Sequence, residues 1–196
     1  MSDVQTTPDT AADERPRRRV APFIALAVAL IIGALFVVLA GSDPARNDSI
    51  GSFLIDKPAP GAISTTLDGG SFDLSHRKGS WVVLNFFDPT CVPCVNEHPE
   101  LIALDQQQQA MPDGAELYTV VNAGSDQAVS AYFDEYGGDW PVVRDPDGSI
   151  SVAFGVSRVP ETWIIDPDGF VRLRIGGEIT AEGVGTLLRR YREARA

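Results

Sequence analysis

An apolar run of seven residues, Trp81-Val82-Val83-Leu84-Asn85-Phe86-Phe87, breaks at Asp88-Pro89-Thr90 and leads directly into Cys91-Val92-Pro93-Cys94. The run is β-branched and aromatic without clean alternation, the pattern of a strand buried on both faces and therefore central in its sheet. Beyond the break the pattern turns helical through Gln109, with Leu101, Ile102 and Leu104 as apolar positions and Pro99 predicting a kink. Both cysteines thus fall at a strand-to-helix junction.

The rest of the chain continues this alternation. Strand signals recur at 117–122, 141–143, 163–166 and 171–175, and helical patterns cover 126–136 and 181–196. Leu67-Asp68-Gly69-Gly70, between Ile63 and Leu74, predicts a hairpin. Asp145-Pro146-Asp147-Gly148 and Asp166-Pro167-Asp168-Gly169 have turn composition. Alternating strands and helices predict α/β architecture around a mixed sheet.

Nearer the N-terminus, residues 20–40 run without a charge, long enough as a helix to cross a hydrocarbon layer of about 30 Å. Arg15, Arg17, Arg18 and Arg19 crowd its N-terminal edge, whereas Arg46 and then Lys57 are the first cations beyond it. The positive-inside rule keeps such an N-terminus cytoplasmic and turns the C-terminal domain outward. The expected organisation is a disordered tail over 1–19, a transmembrane anchor over 20–40, a linker over 41–56 and a redox domain over 57–196. Val38-Leu39-Ala40 before Gly41 also has the small residues of a signal cleavage site, so a cleaved leader is the competing reading.

The formal net charge is −11, and the first forty residues, with four acids and four arginines, contribute none of it. An acidic outer domain argues against nucleic acid as a partner.

Cys91 and Cys94 are all the cysteine in the chain, and only His76 and His98 could join them as soft ligands. No structural zinc site is expected from so few groups. A disulfide closing so short a loop removes little unfolded-state entropy, about 2 kcal/mol. Redox chemistry explains the placement better, because a cysteine at the first turn of a helix has its thiolate stabilised by free N–H groups and the helix dipole. Cys91 is the expected attacking sulfur, forming a mixed disulfide that Cys94 resolves one turn later. This chemistry requires no cofactor beyond the cysteine pair.

Residues 82–101, VVLNFFDPTCVPCVNEHPEL, resemble the active-site segment of the thioredoxin-like proteins that reduce apocytochrome c during cytochrome c maturation, and of membrane-anchored bacterial thiol-disulfide oxidoreductases more broadly. Residues 154–166, FGVSRVPETWIID, are similar to the family's Gly-Val-Pro-Glu-Thr stretch and the strand after it. The resemblance implies a thioredoxin-like fold with an added N-terminal hairpin. It also implies that Pro160 follows a cis bond from Val159, packs beside Cys91 and offers backbone groups to a substrate strand. Glu97, in a CxxCxxExP pattern, joins Cys91 and Cys94 in the catalytic set, and Glu161 would be a second acid near the thiols. A carboxylate there disfavours the thiolate, the sign expected of a reductant. His98 reads as a helix-surface histidine without a role.

The chain departs from the family where Asp88-Pro89-Thr90 replaces small residues ending in Trp, so Thr90 stands on the substrate-contacting surface without an aromatic platform. The expected function is an extracytoplasmic thiol-disulfide oxidoreductase of the cytoplasmic membrane that reduces the CxxCH disulfide of apocytochrome c and is recharged by a membrane thiol-electron transporter. The alternatives are a general extracytoplasmic disulfide reductase or oxidant, a peroxiredoxin-like peroxidase and a non-catalytic binding protein. The peroxidase needs a PxxxTxxC arrangement, and Pro89 and Thr90 do not stand at those offsets.

Overall fold

The computed structural model describes residues 21–40 and 52–195; the expected tail over 1–19 and most of the expected linker lie outside the described residues. The chain divides into two units, Met1–Pro44 and Ala45–Ala196.

In the first unit the described element is α1 (Ala21–Ala40), a helix free of charged residues. Its side chains are described over 22–35, and Phe23, Ile24, Leu30 and Ile31 among them are exposed. Among the described residues no helix is long and apolar enough to cross a membrane. The expected transmembrane helix over 20–40 is therefore not supported by the structure.

The second unit opens with a hairpin of β1 (Ile63–Thr65) and β2 (Ser71–Asp73) and a 3-10 turn (Leu74–Arg77). It continues through β3 (Val82–Phe87), α2 (Val92–Gln109), β4 (Glu116–Val121), α3 (Asp126–Tyr136) and β5 (Val142–Arg144). It ends with α4 (Ser149–Phe154), β6 (Glu161–Ile165), β7 (Val171–Gly176) and α5 (Ala181–Arg195). The unit begins before residue 57: Leu54 is buried, and the Asp56 N–H donates to the Val171 carbonyl at 2.8 Å. Residues 54–56 belong to the fold rather than to the linker, because they cover an otherwise open end of β7.

The five-stranded sheet has the order β5-β4-β3-β6-β7. β3 runs parallel to β4 and antiparallel to β6, so the sheet is mixed and β3 is its centre, buried at every residue. This is the thioredoxin-like α/β arrangement. Alternation along β3 divides the core in two. Val82, Leu84 and Phe86 pack with Phe72, Phe154, Trp163 and Val171 on one face. Trp81 and Val83 pack on the other with Leu101 and Leu104 of α2 and Val184 and Leu188 of α5. Each such leucine, fully buried, stabilises the fold by about 1.5–3 kcal/mol.

α4 has no counterpart in the sequence reading. Six residues show no helical period, and this helix starts because the Asp145 carboxylate accepts the Ile150 and Ser151 N–H groups at 3.0 and 2.8 Å.

Candidate active site

The loop after β3 is built from its own side chains. Asp88 Oδ1 accepts both the N–H and the hydroxyl of Thr90 at 2.8 Å, and the Cys91 N–H donates to the Asp88 carbonyl at 3.1 Å. This self-bonded turn delivers Cys91 to the N-cap of α2. Gly124, at φ +106°, lies against it, and a Cβ there would come within 3.0 Å of Pro89 Cγ.

Cys91 and Cys94 are joined as a disulfide. Cys91 is half-buried, whereas Cys94 is only 2% exposed. The Cys94 N–H points at Cys91 Sγ at 3.2 Å, as a free first-turn donor does. That geometry favours a thiolate on Cys91 over one on Cys94. The Val159–Pro160 peptide is cis, and the Val159 carbonyl oxygen stands 3.6 Å from Cys91 Sγ. Phe87, Tyr132, Val95 and Phe133 complete an apolar surround for the two sulfurs. Thr90, Val92 and Pro93 form an exposed rim beside Cys91, with Val92 68% exposed.

Glu97 lies one helical turn beyond Cys94 on the same side of α2, only 1% exposed. Its Oε1 accepts from Asn85 Nδ2 at 2.7 Å, and the same amide donates to Thr162 Oγ1 at 3.1 Å. Its Oε2 is buried without a hydrogen-bond partner. Burial pushes the carboxyl up to about 8, against the opposing pull of the Ile179 N–H and the Asn85 amide, while Glu178 adds to the rise. At pH 7 the group is mainly a neutral acid that can hand over or take up a proton beside the thiols.

Glu161 is not at the thiols. Along β6 it faces the side of the sheet opposite to its neighbour Thr162, which points at Asn85. It is fully buried, and its carboxylate takes Arg174 Nη2 at 2.7 Å and Trp163 Nε1 at 2.9 Å. Arg174, 12% exposed, also reaches the Gly155 carbonyl at 3.3 Å, at the start of the loop leading to Pro160. The expectation of a second acid tuning the sulfurs is thus corrected: strand alternation turns Glu161 away and an arginine neutralises it. The charge argument for a reductant changes accordingly, since one carboxyl is neutral and the other is distant.

His98 is also corrected. It is buried beneath α3 among Tyr132, Phe133, Tyr136 and Trp140, with Nε2–H donating to the Gly137 carbonyl at 2.8 Å. Burial pulls its pKa down, and the Gly137 carbonyl opposes this. His76 stands elsewhere, 3.6 Å from Asp73. Among the described residues no group of three or more His, Cys, Asp or Glu side chains could hold a metal ion.

Asn85, Thr162 and Tyr132 were missed in the sequence. The Tyr132 hydroxyl is buried without a partner, and burial, helped by Tyr136 and Glu97, pushes it up to about 12. Asn85 did carry a signal, as the one polar residue in the apolar run before the cysteines.

Residues 55–174 match the AhpC/TSA family. The chain is 34% identical to the thiol-disulfide oxidoreductase ResA of Bacillus thuringiensis, over 65% of this chain and 73% of that one. It is also 34% identical to ResA of Bacillus subtilis, over 62% of this chain and 67% of the other. A crystal structure of a thiol:disulfide interchange protein DsbE from Chlorobium tepidum superposes with a TM-score of 0.63 at 23% identity, over 71% of this chain and 97% of that one, a likeness of fold. With a match over more than half its length and relatives of this similarity, the chain belongs to the AhpC/TSA family, among the thiol-disulfide oxidoreductases of the ResA type.

Proposed function

We propose that this enzyme is an extracytoplasmic reductant, and that its substrate is the CxxCH disulfide of apocytochrome c. The observation that carries this reading is the neutral, buried Glu97 beside a cysteine pair whose packing neighbours are apolar. Apolar surroundings disfavour a thiolate, whereas strong oxidants of this chemistry stabilise theirs. The name of the ResA relatives, thiol-disulfide oxidoreductase, supports exchange through the cysteine pair. In the reaction, the Cys91 thiolate attacks one sulfur of the substrate disulfide and the other leaves with a proton. The Cys94 thiolate then attacks Cys91 Sγ, releasing the second substrate thiol and forming the Cys91–Cys94 disulfide. Substrate gains two electrons and two protons, and Glu97 relays the proton that Cys94 gives up. A membrane thiol-electron transporter restores the dithiol.

The same reading places residues 20–40 in the cytoplasmic membrane with the N-terminus inside. Support comes from the sequence alone: four arginines on one flank and no charged residue over 20–40. Carbonate extraction together with protease accessibility of the domain in spheroplasts tests this placement, and a domain shielded from external protease overturns it.

Reduction is tested by the potential of the pair. A value near about −270 mV, that of thioredoxin, is expected, and one near about −120 mV overturns the reducing direction. For the substrate, C91S should abolish c-type cytochromes in cells grown without added thiol. Normal levels would transfer the same chemistry to other extracytoplasmic disulfides.

A further inference from the structure

β7 grips the loop that carries Pro160 at both of its ends. Where α4 stops, the Gly155 carbonyl accepts from Arg174 Nη2 at 3.3 Å. At the far end Glu161, the residue after Pro160, accepts from the same nitrogen at 2.7 Å. The Gly177 N–H adds a third hold, donating to the Pro160 carbonyl at 2.9 Å. The guanidinium is itself fixed. Arg174 pairs with Trp163 across β6 and β7, its Cζ lies 5.3 Å from the centroid of that ring, and its side chain is only 12% exposed. Stability alone is a weak reason for such a residue, because an apolar pair can be as stable at a buried site.

Between the two ends, Val156 and Val159 pack against the core that holds Phe154 and Trp163. The Val159 carbonyl oxygen stands 3.6 Å from Cys91 Sγ. In the disulfide Cys91 carries no proton, so this approach is not a hydrogen bond, and among the described residues no backbone N–H donates to that oxygen. It is an open acceptor beside the sulfur that a substrate must reach. A polypeptide disulfide brings backbone N–H groups on either side of its sulfurs. A small aromatic disulfide brings none.

We propose that Arg174 is a positioning residue that favours polypeptide disulfides over small ones, by holding the Val159 carbonyl where a backbone N–H of the substrate meets it as Cys91 attacks. The inference rests on exchange through Cys91, and neither on apocytochrome c as the substrate nor on Glu97 as the relay. Arg174 touches no reacting atom. It acts through the loop, at the end that leaves α4 and at the end that enters β6.

The test is single-turnover exchange of the pre-reduced protein with insulin and, separately, with dithiobis(nitrobenzoate), a disulfide without N–H groups. R174M/E161Q removes the guanidinium together with the charge it compensates, so the fold is kept without the clamp. Its ratio of insulin rate to small-disulfide rate should fall about tenfold, as a displaced positioning group can cost. The loss should appear as a higher half-saturating concentration of insulin. R174K keeps a cation for Glu161 but ends one bond short of Nη2, and its ratio should fall about threefold, as suits one hydrogen bond. A wild-type ratio in R174M/E161Q overturns the proposal. So does an equal loss on both disulfides, which a merely structural role would produce. If thermal unfolding shows that the double variant has not folded, the R174K ratio decides alone. Failure of the apocytochrome c reading would show separately, as normal c-type cytochromes in C91S while the preference for insulin still depends on Arg174.

Discussion

The Asn85 side-chain amide bridges two elements that meet only in the folded chain, donating to Glu97 Oε1 at 2.7 Å and to Thr162 Oγ1 at 3.1 Å. With both its amide contacts on acceptors, Asn85 fixes the carboxyl of Glu97 beside Cys94 while leaving Oε2 free to carry the proton. In E97Q the amide contact can persist but no proton can move. Exchange with a protein disulfide at pH 7 should slow at least about tenfold, within the usual scale of general acid–base catalysis. The break in the pH–rate profile near 8 should disappear with it. Stopped-flow reduction of insulin across pH reads both, and a wild-type profile in E97Q would remove Glu97 from the mechanism.

Glu97 also sets a stability slope. It is an acid whose folded midpoint, about 8, lies above the ordinary 4.5, so the folded chain keeps a proton that the unfolded chain has released. Its contribution is fully present below about pH 4.5 and is lost as pH rises to about 8. The loss has an upper limit of roughly 5 kcal/mol at 1.36 kcal/mol per pH unit. Urea midpoints measured across this window should decline more steeply for the wild type than for E97Q. Parallel curves would show that Glu97 titrates at its ordinary value.

Arg174 and Glu161 form an ion pair on the other face of the sheet, with Trp163 completing the carboxylate's contacts. R174M leaves a buried carboxylate alone and should cost roughly 3–5 kcal/mol. The double variant R174M/E161Q should recover most of that, because the uncompensated charge is gone. Thermal unfolding of the four proteins completes the cycle. Additive losses would mean that the pair contributes no coupling.

Gly124 combines a φ of +106° with a close approach to Pro89 of the cysteine loop. G124A should cost about 1–2 kcal/mol through backbone conformation. It should also push the Asp88-Pro89-Thr90 turn outward and change the rate at which Cys91 is alkylated after reduction. An unchanged alkylation rate would show that the loop is held without Gly124.

What the sequence determined by itself is local and periodic. Residues 81–87 have no polar face, so they had to be a central strand, and the turn chemistry after them had to end that strand and expose the cysteines. The helix limits at 126–136 and the hairpin around Gly69 follow from the same short-range signals. The six-residue α4 is too short to show a period and stayed hidden.

Tertiary structure decided which side chains face the sulfurs. Glu97 and Glu161 look equivalent in sequence, each a carboxylate in a motif beside the active residues. Sheet register separates them: Thr162, pairing with Asn85, faces α2, so Glu161 must face the opposite core, where Arg174 meets it. The partners of Glu97 are 12 residues away on β3 and, through Asn85, 77 residues further on β6. Ordinary or perturbed proton affinity depends on burial and on such distant partners. Neither can be read from a residue's neighbours in the chain, and so the cysteines were legible in sequence while the chemistry that surrounds them was not.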